Sequence, residues 1–203
     1  MKSLIIALAF LTTAVSFAQS SETESSNQSV FSRSQKFDNE GVELYDSNYE
    51  LKNYKKLGLG VSTGGLTGGF GFNLEVNLKP ADALGFGIGM GKAYNTFHIA
   101  WKHNYESNYL SPYTKVGYAN WFNANSPDGD ASSSDILKRV LSEKQIQENK
   151  FSANFIAGGM GLEYNQLEGE LSGVNFYGEL MVLGELNSSV YLPTAGVGLT
   201  YFY

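Results

Sequence analysis

The chain has 203 residues, enough for one ordinary domain, and a formal net charge of −6. An acidic chain without a basic cluster argues against nucleic acid as a partner, and the lack of cysteine removes any disulfide framework. Only 17% of residues are charged, against 23 Gly, 13 Tyr and 13 Phe, a composition that favours many short strands.

Residues 1–18 read as a secretory signal peptide: Lys2, an apolar core from Leu4 to Leu11, then Ser16-Phe17-Ala18 as a small-x-small cleavage site. The apolar run is too short to span a bilayer, although an uncleaved anchor is the alternative. The mature chain is expected to start at Gln19. Residues 19–54 form a polar N-terminal extension opening with "QSSETESSNQS", followed by scattered aromatics such as Phe31, Phe37 and Tyr45 without a clear period. It is expected on the periplasmic side and partly ordered at best, with a plug or a partner-binding arm as the alternative.

From residue 55 to 203, apolar and small residues alternate again and again. Eight strands are predicted: Leu57–Ser62, Phe70–Leu78, Leu84–Gly91, Thr96–Lys102, Leu110–Trp121, Phe155–Tyr164, Val174–Val182 and Ala195–Tyr203. One face of each is apolar and uncharged. The other carries Gly, Ser, Asn and isolated charges, too sparse for a solvated exterior and too polar for a hydrophobic core. An eight-stranded antiparallel up-and-down transmembrane β-barrel meets both conditions, with lipid outside and a narrow polar interior. Lumen positions must be small wherever a large neighbour fills the space, as the inward glycines of "LGFGIGMG" illustrate.

With both ends periplasmic, "TGGLTGG", "KAYN", the stretch 123–150 and "LNSSVYLP" become external loops, and "KPAD", "HNYESN" and "QLEGELSG" become periplasmic turns. Two interfacial girdles are expected, with Trp101, Tyr164, Tyr201 and Tyr203 near the periplasm and Phe70, Tyr118 and Trp121 near the exterior.

The final "AGVGLTYFY" places Val197, Leu199, Tyr201 and Tyr203 at alternate positions up to a terminal aromatic. Residues 55–203 therefore resemble the small eight-stranded outer-membrane proteins of the OmpX kind and the OmpA membrane domain. The resemblance implies that these four residues form the signal read by the outer-membrane assembly machinery. The usual terminal residue of that family is Phe, so Tyr203 departs from it.

Five charges are predicted to face the lumen: Glu75, Lys102, Lys115, Glu163 and Glu179. Buried charges persist when paired and hydrogen-bonded, so a salt-bridge network that fills the lumen is expected, with a gated ion path as the alternative. Neither histidine supports catalysis. His98 has no serine beside it in its strand, and "HNYESN", with His103, Glu106 and Ser107, lacks the His-x-Ser-Asn pattern of the lipid A deacylases. Two histidines without cysteine give no zinc spacing, and Asp128, Asp130 and Asp135 lack that of a calcium loop. Beyond these, Ile136, Leu137, Val140 and Leu141 recur at helical spacing with Ser134 or Asp135 as cap, predicting a short external helix on the barrel rim.

The expected protein is a non-catalytic barrel of the bacterial outer membrane without cofactor or metal. Its partners are membrane lipid, the assembly machinery and a surface partner reached through residues 122–150. A lipid A enzyme, a narrow pore and a soluble periplasmic ligand-binding barrel are the alternatives.

Overall fold

A computed structural model describes residues 36–124, 131–188 and 190–203. The signal peptide, the first part of the extension, and Asp128 and Asp130 lie outside these residues. Eight strands close into one barrel in chain order: β1 Leu57–Gly64, β2 Gly68–Asn77, β3 Asp82–Gly91, β4 Tyr94–Asn104, β5 Leu110–Asn123, β6 Ser152–Asn165, β7 Val174–Glu185 and β8 Tyr191–Phe202. All neighbours are antiparallel, and rungs from Gly58↔Phe202 to Gly64↔Gly196 close the seam between β1 and β8. Three short helices accompany the wall: α1 Asn48–Tyr54, α2 Asp135–Val140 and α3 Glu143–Glu148. No described helix is long and apolar enough to cross a membrane.

The period-2 pattern becomes an inside and an outside because successive side chains leave opposite faces of a strand. Leu59, Phe72, Ile88, Met160 and Leu180 stand exposed on the outer wall, between 52 and 68%. Between the rims that wall carries no charge. At the rim holding the C-terminus, Asp82 and His103 face outward and pair at 2.9 Å. Tyr109 and Tyr164 stack nearby, 6.2 Å between ring centres. Trp121 does not join the opposite girdle. It is 4% exposed and points inward, where it stacks on Tyr94 at 4.6 Å; Phe70 is exposed there as expected, together with Phe122 and Tyr191.

The loop read as "TGGLTGG" turns inward. Gly64, Gly65 and Gly68 take positive φ of 76°, 57° and 80°, a region that strains any side chain, and they fold Gly65–Thr67 into a tight 3-10 turn. Leu66 is thereby 1% exposed inside the barrel, and the Thr67 carbonyl accepts a hydrogen bond from Thr96 Oγ1 at 2.9 Å. This short hairpin leaves Tyr191–Ala195 of β8 without a rung to β1. Pro193 occupies that unpaired edge, where its missing N–H leaves one fewer donor unsatisfied.

The lumen divides into two halves. The half away from the C-terminus is apolar: Leu66, Tyr94, Trp121, Phe155 and Leu183 form one continuous core. The expectation of a polar interior is therefore corrected for this half, because bulky inward side chains at the ends of β4 to β7 meet the inturned Leu66. The stretch 131–149 covers it from above. Ser134 caps α2 by accepting from the Leu137 N–H, and Leu137 and Val140 are buried in the core. Ser142 and Gln145 form a reciprocal capping box that starts α3.

Candidate functional site

The other half of the lumen, next to the C-terminus, holds the charges. Inward positions on β2, β4, β5, β6 and β7 carry Glu75, Lys102, Lys115, Glu163 and Glu179. Lys102 Nζ lies 2.6 Å from Glu163 Oε2 and 3.1 Å from Glu75 Oε1. Lys115 Nζ lies 3.0 Å from Glu179 Oε2, and the Tyr113 hydroxyl donates to the same oxygen at 3.0 Å. The Tyr113 ring lies under Lys102, 4.7 Å from Nζ to the ring centre. One tyrosine therefore joins the two ion-pair clusters, by its hydroxyl on one side and its face on the other.

Lys52 was not among the charges read as facing the lumen. It rises from α1, and its ammonium bonds Glu163 Oε1, with both side chains fully buried. Ser47 starts this helix by accepting from the Glu50 N–H. Three polar side chains tie the segment to the rim through four hydrogen bonds. The Asn48 side chain donates to the Tyr105 carbonyl at 3.0 Å and accepts from the Ser107 N–H at 2.9 Å. The Tyr49 hydroxyl donates to the Asn104 carbonyl at 2.7 Å, and Lys55 Nζ donates to the Ser172 carbonyl at 2.6 Å. A small second core, Tyr45, Leu51, Leu167 and Phe202, completes the seat. The stretch read as an irregular extension thus contains a helix that stops the mouth of the barrel.

The lumen retains little free space. A cavity of about 30 Å³, lined by Asn73, Glu75, His98, Lys102 and Lys115, remains at its centre. That is room for at least one water molecule. His98 is buried there, and its Nδ1 has no hydrogen-bond partner. His103 lies instead on the outer rim against Asp82, edge-on to Tyr105 at 5.2 Å. No cluster of three or more metal-ligating side chains occurs among the described residues. A larger cleft, about 220 Å³, opens at the far end between Leu141, Gln145, Ser152 and Glu185. The Glu185 carboxylate is occupied there, accepting from the Asn187 N–H at 2.7 Å and the Ser188 hydroxyl at 2.8 Å.

Val197, Leu199 and Tyr201 lie on the outward face of the last strand, and Tyr203, exposed just beyond it, donates its N–H to the Leu57 carbonyl at 2.9 Å. Phe202 departs from the small residues expected opposite them. It is fully buried and lies under Lys52, 5.8 Å from Nζ to its ring centre.

No family model and no curated protein matches the chain. Among solved structures it is similar to the N-terminal β-barrel domain of Pseudomonas aeruginosa OprF, at 15% identity and a TM-score of 0.48, covering 72% of this chain and 98% of that one. It is also similar to the Yersinia pestis outer membrane protein Ail, determined in a phospholipid bilayer nanodisc. That match has 12% identity and a TM-score of 0.38, covering 73% of this chain and 99% of the other. The architecture described above rests on the strand register alone.

Proposed function

We propose that the chain is a filled outer-membrane barrel without catalytic activity, acting in surface structure or interaction through residues 122–150. The observation that carries this reading is the pairing of an uncharged apolar outer wall with a lumen occupied from end to end. The outer wall suits lipid and would be an aggregation hazard in water. Inside, α1 and the ion pairs occupy one half, and the apolar core under α2 occupies the other, which favours a plug over a pore. The unpartnered, buried His98 has no access to substrate, and His103 pairs with a carboxylate on the rim, which favours a binding or structural role over lipid A chemistry. Export by residues 1–18 and recognition of Val197, Leu199, Tyr201 and Tyr203 by the assembly machinery belong to the same reading.

Membrane fractionation with heat-modifiable gel mobility tests it. The mature chain is expected in the outer-membrane fraction, migrating differently before and after boiling, with no conductance above leak in planar bilayers. A soluble chain without a mobility shift overturns the location, and steady conductance overturns the filled lumen.

A further inference from the structure

The wall of the barrel does not balance its own buried charge. Beside the neutral Lys115–Glu179 pair, two carboxylates, Glu75 and Glu163, meet one wall ammonium, Lys102. The second ammonium comes from outside the wall: Lys52, on α1, takes Glu163 Oε1 and leaves Oε2 to Lys102. We infer that Glu163, with Glu75, forms an ammonium-binding site at the terminal mouth, and that α1 is its releasable occupant in cis.

Three observations make the occupant separable from its site. The segment contributes no rung to the barrel, which closes from β1 to β8 without it. Its apolar contacts, Leu51 and Tyr45 on Leu167 and Phe202, form a cluster separate from the main core. It precedes β1 in the chain, so it can leave the mouth without threading through the wall. Its remaining ties are hydrogen bonds, from the Asn48, Tyr49 and Lys55 side chains and between backbone groups at Asn48 and Ser107, Tyr45 and Leu167, and the Leu44–Glu168 bridge, which water can replace.

Once α1 leaves, Glu163 keeps one oxygen on Lys102 and turns the other toward the vacated channel, and the site carries one uncompensated negative charge. A carboxylate in that position binds a compact cation with N–H donors, because a bare charge at this depth is strongly unfavourable. The ligand class is therefore a primary ammonium, presented by a small amine or by a lysine of another chain.

Chemical rescue in the full-length folded chain tests this. Lys52→Ala removes the ammonium and leaves a slot of matching length. Cleavage by trypsin after Lys55 or Lys56 reports release of α1, and it is expected to rise roughly a hundredfold, as loss of one partner of a buried pair predicts. Propylammonium chloride at millimolar concentration is expected to restore protection saturably, whereas equal sodium or tetramethylammonium chloride does not. The Lys52→Ala/Glu163→Gln double variant returns the site to neutrality. It is expected to be better protected than Lys52→Ala and indifferent to the amine. Unchanged cleavage in Lys52→Ala, equal rescue by sodium, or amine rescue persisting in the double variant each overturns the inference. If Lys52→Ala does not close its barrel, closure of the double variant supports the charge argument, and its failure to close overturns it.

Discussion

The two halves of the lumen solve one packing problem by opposite means. Near the C-terminus, space is filled by paired charges and tyrosines, with α1 inserted among them. At the far end it is filled by Trp121, Phe155 and Leu183 beneath Leu137, an ordinary hydrophobic core turned inside a barrel. The difference is one of tolerance. A charged filling is stable only as a complete set, because each missing partner strands a buried charge. An apolar filling loses stability gradually, with the atoms removed and the cavity they leave behind.

The largest expected effect breaks the charged half. Lys102→Met leaves Glu75 without its ammonium and Glu163 with Lys52 alone, and should cost about 3–5 kcal/mol, measured as the shift in urea unfolding midpoint of the folded barrel. Leu137→Ala in the far half should cost about 2–4 kcal/mol through loss of a buried side chain and the cavity left behind. Combined with Lys102→Met, it should add within about 0.5 kcal/mol, because the two residues share no partner. Strong coupling between them would show that the halves act as one unit.

Tyr113→Phe sharpens the comparison, since it removes the hydroxyl on Glu179 and keeps the ring under Lys102. A hydrogen bond to a charged group is worth about 1.5–3 kcal/mol, so the loss should appear in the same unfolding midpoint. A smaller effect is expected from Ser142→Ala, where the α3 capping box contributes about 1 kcal/mol and only local amide exchange in residues 143–149 should quicken.

The smallest effect concerns pH. Burial raises the Tyr49 hydroxyl above its ordinary range. A group with a raised folded value stabilises the folded form fully below its unfolded value, about 10, and that contribution fades as pH climbs through the folded one. Protection of α1 should therefore hold through neutral pH and weaken only in strong alkali. Tyr49→Phe should flatten this part of the profile.

The barrel was legible in the sequence because its signal is local. Alternation in stretches such as "FGFNLEVNL" assigns each residue to one of two faces without knowledge of any neighbour, and all eight strands read this way occur. The capped helix after Ser134 was legible for the same reason, since cap and apolar stripe lie within one short stretch. The inward positions of Glu75, Lys102, Lys115, Glu163 and Glu179 follow from the same alternation.

What escaped was less local. In α1 and its C-cap the buried positions Asn48, Leu51, Lys52 and Lys55 do keep helical spacing. Two of the four are lysines and one is asparagine, so a search for apolar periodicity passes over them. The inturned "TGGLTGG" escaped because glycine permits either direction, and the turn follows the space available to Leu66. Trp121 escaped because aromatics at strand ends suit an interface as well as a core, although the alternation that turns Lys115 inward turns Trp121 inward too.

By itself, then, the sequence determined the strands, their two faces and the uncharged outer wall, since a two-residue period needs only the next residue to be read. The tertiary structure alone decided which carboxylate meets which ammonium, that the lumen is half charged and half apolar, and that α1 closes the mouth. Those outcomes depend on residues such as Lys52 and Glu163, 111 positions apart, which barrel closure brings within a hydrogen bond.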